Sequence, residues 1–105
     1  MAQFDISKNN NKRSKIDVPY IMEIQSNSVS ILGTRIVVPL RKTENNLDKM
    51  ISKIHVSIEV ENTKYIAFIS EMAAIPSGII GPAITNGAFK RTEIISAIDL
   101  FFTGF

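Results

Sequence analysis

The sequence predicts a mostly β fold closed by one C-terminal helix, and three observations carry that prediction. Residues 54–60 alternate Ile54, Val56, Ile58 and Val60 with His55, Ser57 and Glu59, the period of a strand with one face in a core. Residues 34–40, Thr-Arg-Ile-Val-Val-Pro-Leu, form a β-branched run with a continuous apolar centre, as in a strand buried on both faces. After Ala88 the period changes. Ile94, Ile95, Ile98, Phe101 and Phe102 recur at spacings of three and four, which is an amphipathic helix. A chain of 105 residues has room for one core, so residues 1–105 are read as a single domain.

In chain order, Phe4 and Ile6 alternate with polar neighbours and predict a first strand over residues 2–7. Residues 8–15 are polar and carry Lys8, Lys12, Arg13 and Lys15, with no apolar anchor. They read as an exposed, mobile loop: either a solvated hairpin tip or a docking surface for an acidic partner. A second strand is expected over residues 18–26, with Pro19 near its start. A turn region follows, from Asn27 to Gly33. Pro39 is expected to place the end of the next strand at an edge or bulge. Residues 41–53 are a polar connection with one short helical turn, anchored by Leu47, Met50 and Ile51.

The strand over residues 54–60 places His55 on its polar side, where a surface histidine is the expected reading and a general base the alternative. Glu61-Asn62-Thr63 is a turn, and Tyr65 to Ile69 runs back to complete a hairpin. Pro76, Gly78, Gly81, Pro82 and Gly87 interrupt residues 71–87, so strand fragments and turns are expected there. Gly104 suits the left-handed conformation that ends helices. The sum is four to six short strands and one helix, arranged as a strongly bent barrel or paired sheet. Phe101, Phe102 and Phe105 crowd the last five residues on different helical faces. Two readings follow: a two-fold dimer contact through Phe101 and Phe105, or a cap on the barrel end.

Composition excludes several function classes. The chain has no cysteine, which removes disulfides, thiol catalysis and thiolate zinc sites. A single histidine removes multi-histidine metal sites. No cofactor is expected. The net charge of +2 is too small to imply direct DNA binding, but it is unevenly spread. Residues 1–53 carry 9 basic and 5 acidic side chains, and residues 54–105 carry 3 and 5, so an acidic partner should prefer the first half. No signal peptide and no membrane-spanning run are seen, and a cytoplasmic location is expected. There is no nucleophile elbow, phosphate loop or zinc-protease motif. Residue chemistry alone therefore reads as a small β protein that acts by binding.

Three segments resemble the CcdB family of bacterial toxins. The first is Ile24-Gln25-Ser26 followed by Thr34-Arg35-Ile36-Val37-Val38-Pro39-Leu40. The second is Glu71-Met72-Ala73-Ala74-Ile75-Pro76 followed by Ile79-Ile80-Gly81. The third is the ending, Ala97-Ile98-Asp99-Leu100-Phe101-Phe102-Thr103-Gly104-Phe105. They fall in the family's order, with similar spacing, over nearly the whole chain.

The resemblance implies a twisted barrel like that of Src-homology-3 domains, with extra strands and a C-terminal helix, forming a homodimer. It also implies a toxin of a type II toxin–antitoxin system. Such a toxin binds the DNA gyrase A subunit, traps the cleaved-DNA complex and so causes double-strand breaks. The partner antitoxin would neutralise it through an acidic disordered tail, and DNA would be met only indirectly, through the antitoxin complex. Carried over by position, the gyrase contact falls on Ser28, Val29, Asp99, Phe102, Thr103, Gly104 and Phe105. The antitoxin contact falls on Lys8, Lys12, Arg13 and Lys15. The family pattern has tryptophan where Thr103 stands, and threonine cannot stack on a cation, a contact of about 0.5–2 kcal/mol. The alternatives are a ribonuclease toxin on a related barrel, whose N-terminal Arg-Pro signature is missing here, and a non-toxic relative that binds only antitoxin.

Overall fold

A computed structural model describes residues 2–27, 33–45 and 54–104. Within them, seven strands form one antiparallel sheet: β1 (Asp5–Lys8), β2 (Tyr20–Glu23), β3 (Thr34–Lys42), β4 (His55–Val60), β5 (Thr63–Phe68), β6 (Ala73–Pro76) and β7 (Ala83–Asn86). The order across the sheet is β4-β5-β3-β2-β1-β7, with β6 also on β3. The sheet curls into a half-barrel, and helix α1 (Arg91–Thr103) follows it. Ile6, Met22, Val38, Leu40, Val56, Ile58, Ile69, Ile94 and Ala97 belong to the core it encloses.

The β4–β5 hairpin is the expected one. His55 pairs with Phe68 and Val60 with Thr63, so the turn has two residues. Glu61 (φ 51°) and Asn62 (φ 66°) are both left-handed, as a tight hairpin turn that follows the sheet twist requires. Strand β3 is central and buried on both faces, with Val37 and Val38 both inside. Helix α1 inserts Ile94 and Ala97 into the core, and Gly104 closes it at φ 79°, its N–H donating to the Leu100 carbonyl at 3.0 Å.

Several expectations need correction. The sheet has seven strands, not four to six, because the segment rich in proline and glycine supplies both β6 and β7. Strand β1 starts at Asp5, since Phe4 has φ 70° and breaks the extended path. Strand β2 is shorter than residues 18–26: the Val18 N–H turns back to the Ser14 carbonyl, and regular pairing stops at Glu23. The loop over residues 8–15 is exposed as expected, but its backbone is tied down by asparagine side chains.

Pro39 does not end a strand. Ile24 N–H donates to the Ile36 carbonyl, so even-numbered β3 residues aim their backbone groups at β2. Odd-numbered residues aim at the opposite edge, where β6 pairs with residues 34–37 and β5 with residues 40–42. The missing Pro39 N–H falls in the gap between those two partners, where it costs no ladder bond.

His55 is not a surface residue. It is 3% exposed, its Nε2 lies 2.9 Å from Ser70 Oγ, and its ring sits 4.3 Å from that of Phe68. Both neighbours come from β5 and the 3-10 turn Ile69–Glu71 that follows it, and that turn packs against β4. The anchors Leu47, Met50 and Ile51 lie outside the described residues. Thr43–Asn45 forms a short 3-10 turn in that connection.

Candidate functional site

Two surfaces carry the residues singled out in the sequence. The first is the basic loop. Asn9 shapes it by donating from Nδ2 to Ser14 Oγ at 2.9 Å and to the Val18 carbonyl at 2.7 Å. Asn9 Oδ1 accepts from the Asn11 N–H at 3.0 Å, and Asn11 Oδ1 accepts from the Arg13 N–H at 2.9 Å. Asparagine suits such turns because its side chain imitates a backbone carbonyl. The apparent low complexity of residues 9–11 is thus a folding device. Lys8, Lys12, Arg13 and Lys15 are all exposed, and Ile16 stands among them at 76% exposure.

The base of this loop is anchored by Arg41 on β3. Its guanidinium pairs with Asp17, and donates from Nε and Nη2 to Glu71 at 2.7 and 3.2 Å. It also lies 5.4 Å from the centre of the Phe68 ring. Hydrogen bonding to Glu71 raises the Arg41 pKa, against the opposing effect of partial burial, and the charges of Glu71 and Asp17 add to the rise. Beside the loop runs an open groove of about 590 Å³. Ile21, Val37, Pro39 and Ile75 are among its apolar lining, and Asn10 and Arg41 among its polar residues. Sequence reading located the four cations. It missed Ile16, the groove and the Arg41 clasp, whose partners lie 24 and 30 residues away. The isolated Ile16 in a polar stretch was the available signal.

The second surface is the end of α1. Phe102 is 65% exposed and Phe101 40% exposed. Their rings meet each other edge to face at 5.3 Å. Asp99, Thr103 and Gly104 are exposed alongside. Thr103 Oγ1 donates to the Asp99 carbonyl at 2.6 Å, which commits its hydroxyl to the helix. The structure therefore gathers Asp99, Phe102, Thr103 and Gly104 on one helix end. Ser28, Val29 and Phe105 lie outside the described residues. Phe89, in the 3-10 turn before α1, is a further exposed aromatic that the sequence reading did not select.

On the sheet face away from the core, Arg35 is 0% and Glu23 1% exposed, joined from Nε to Oε1 at 2.7 Å. The register sets Glu23 opposite Val37, so Arg35 is its diagonal neighbour on the same face. Glu23 Oε2 and Arg35 Nη1 have no hydrogen-bond partner among the described residues. This pair was also missed, although Arg35 lies in one of the motifs.

No helix among the described residues is long and apolar enough to cross a membrane. The two surfaces offer cations, amides and aromatic rings, which is equipment for recognition. A family model described as CcdB protein matches residues 3–104. It spans the curled sheet, the basic loop and the helix end alike, and the chain belongs to the CcdB family.

Proposed function

We propose that this protein is the toxin of a type II toxin–antitoxin pair and poisons DNA gyrase as a homodimer. The exposed aromatic end of α1 carries the reading: two large rings left in water by a small domain are binding equipment unless something covers them. In a two-fold dimer, with the half-barrel completed in the manner of Src-homology-3 domains, two such ends face a two-fold target, the gyrase A dimer. The toxin makes no bond. It binds the state of gyrase that holds cleaved DNA better than other states and shifts the population toward it. Phe101 joins Phe105 at the dimer contact, and Ser28 and Val29 complete the gyrase surface with Asp99, Phe102, Thr103, Gly104 and Phe105.

Lys8, Lys12, Arg13 and Lys15 receive the acidic tail of the antitoxin. Their charge speeds encounter, and the groove beside them takes apolar side chains of the same tail. Both partners place the protein in the cytoplasm. A pull-down with the dimerisation fragment of the gyrase A subunit tests the proposal. Retention of the fragment is expected, and loss of retention on deleting residues 103–105 places the contact. Failure of the intact chain to retain the fragment refutes it.

A second reading has a specific observation in its favour. Thr103 has no ring to stack, and its hydroxyl is committed to Asp99. A relative that binds antitoxin but not gyrase would look the same there. Binding of a Glu-rich peptide without binding of the gyrase fragment would select that reading.

A further inference from the structure

Gln3 commits every polar group it has to other elements. Its N–H donates to Asn27 Oδ1 at 2.6 Å, and its side-chain Nε2 donates to the Ile24 carbonyl at 3.2 Å. Its Oε1 accepts from Arg91 Nη1 at 3.1 Å, and its carbonyl accepts from Asn86 Nδ2 at 3.0 Å. Those partners lie in the chain leaving β2, at the first residue of α1 and at the end of β7.

The next residue reinforces the junction. Phe4 is 1% exposed at φ 70°, a conformation that an aromatic residue adopts only where its surroundings impose it. Its N–H donates to the Glu23 carbonyl at 2.7 Å, and its carbonyl accepts from the Gly87 N–H at 2.8 Å. Its ring centre lies 5.6 Å from the Arg91 guanidinium carbon. Asn86 also donates to Asp5 Oδ1 at 2.9 Å, while its own Oδ1 accepts from the Ala88 N–H at 2.8 Å.

Ile94 and Ala97 are the fully buried residues of α1, with Ile95 and Ile98 packed beside them, and a tilt of the helix would turn about this stretch, its pivot. Arg91 lies about one turn before that pivot and Gly104 about two turns after it. At 1.5 Å per residue, a swing of roughly ten degrees moves Gly104 by about 2 Å. Whatever holds Arg91 therefore aims the far end.

We infer that Gln3 is a positioning residue: it locks the chain leaving β2 to the start of α1 and so sets where the aromatic end of the helix points. The inference deepens the proposed function and rests on it only in taking that helix end as the target contact. Gln3 itself need not touch the target. Its contribution is preorganisation, and losing it lowers the fraction of molecules in the binding geometry.

The test uses the full chain with Gln3→Ala and Gln3→Glu. Gln3→Glu keeps an acceptor for Arg91 and loses the donor to Ile24. Gln3→Ala should weaken binding of the gyrase A dimerisation fragment about tenfold, with the competent fraction falling to about a tenth. Binding of a synthetic Glu-rich peptide to the basic loop should stay unchanged, and the folding stability read from urea should fall by no more than the roughly 1.4 kcal/mol that a tenfold population shift represents. Gln3→Glu should recover only part of the affinity, since it keeps the Arg91 end of the lock and loses the Ile24 end. Equal weakening of both ligands, or unchanged fragment affinity, overturns the inference.

If the unmutated chain fails to bind the fragment, the proposed function falls, and amide ¹⁵N order parameters judge the inference by themselves. Gln3→Ala should lower them over residues 24–27 and at Arg91 and Thr92, from near 0.85 toward about 0.6, while β3 to β5 stay rigid. Order parameters unchanged in those segments overturn it.

Discussion

Truncating Glu23 to alanine strands the Arg35 guanidinium on a dry face of the sheet. Arg35 is 0% exposed, and its Nε–Oε1 contact with Glu23 is its one short hydrogen bond among the described residues; the contact from Nη2 to the Gln25 carbonyl is 3.5 Å. Breaking a buried pair by removing one partner costs about 3–5 kcal/mol, because an uncompensated charge stays behind. A domain of this size has about 5–15 kcal/mol of stability in all. With a urea m-value of about 1–3 kcal/mol/M, the midpoint should fall by about 2 M. Replacing both residues, as Glu23→Met with Arg35→Leu, should recover most or all of that loss. The wild-type pair is itself incompletely satisfied, with Glu23 Oε2 and Arg35 Nη1 both unpartnered among the described residues. The assay is urea denaturation of wild type, both single variants and the double variant at one protein concentration, since dimerisation would shift the midpoint by mass action. A loss below about 1 kcal/mol for Glu23→Ala, or a double variant no better than the worse single one, would refute the reasoning.

Phe102→Ala should leave the urea midpoint within about 0.5 kcal/mol of wild type, because the ring is 65% exposed, yet it should abolish retention of the gyrase A fragment. Replacing Lys12, Arg13 and Lys15 together by glutamine should slow association of a Glu-rich peptide and flatten its salt dependence; stopped-flow rates between low and physiological salt read this. Tyr20 should ionise above its ordinary 10.0. Burial is the main cause, followed by the charge of Glu61 and the neighbouring Tyr65, whose ring meets it edge to face at 5.2 Å. A phenol whose pKa is raised by folding contributes stability that is complete below pH 10 and disappears as pH rises through the folded value. Tyr20→Phe should remove that alkaline loss in a stability–pH profile, and an unchanged profile would contradict the assignment.

How much of this was legible in the sequence depended on whether neighbours along the chain or neighbours across it set each feature. Val56, Ile58 and Val60 announced β4 through local alternation, and Asn62 announced its turn. Ile94, Gly104 and the exposed phenylalanines announced α1 in the same way. His55 was misplaced because alternation reports the face toward the core and not what covers the other face. Here the Phe68 ring and the Ser70 hydroxyl lie against His55 on that face, and both come later in the chain. The Glu23–Arg35 pair and the Arg41 clasp are contacts across the sheet, over separations of 12 to 30 residues, and no periodicity encodes them. Strands β6 and β7 were blurred because each has four residues, mostly exposed, so neither shows an alternating face. At the site, the four cations and the helix end were readable as composition. The fan of hydrogen bonds around Gln3 was not, since a lone glutamine near the N-terminus carries no pattern.

The proposed action of this chain is to hold gyrase on cleaved DNA. It is tested most directly by incubating purified protein with purified gyrase and supercoiled plasmid, then denaturing the mixture and digesting the protein. The account predicts linear plasmid in proportion to added protein, and none when Phe102→Ala replaces it. Plasmid that stays intact, at concentrations where the same preparation binds a Glu-rich peptide, would contradict it.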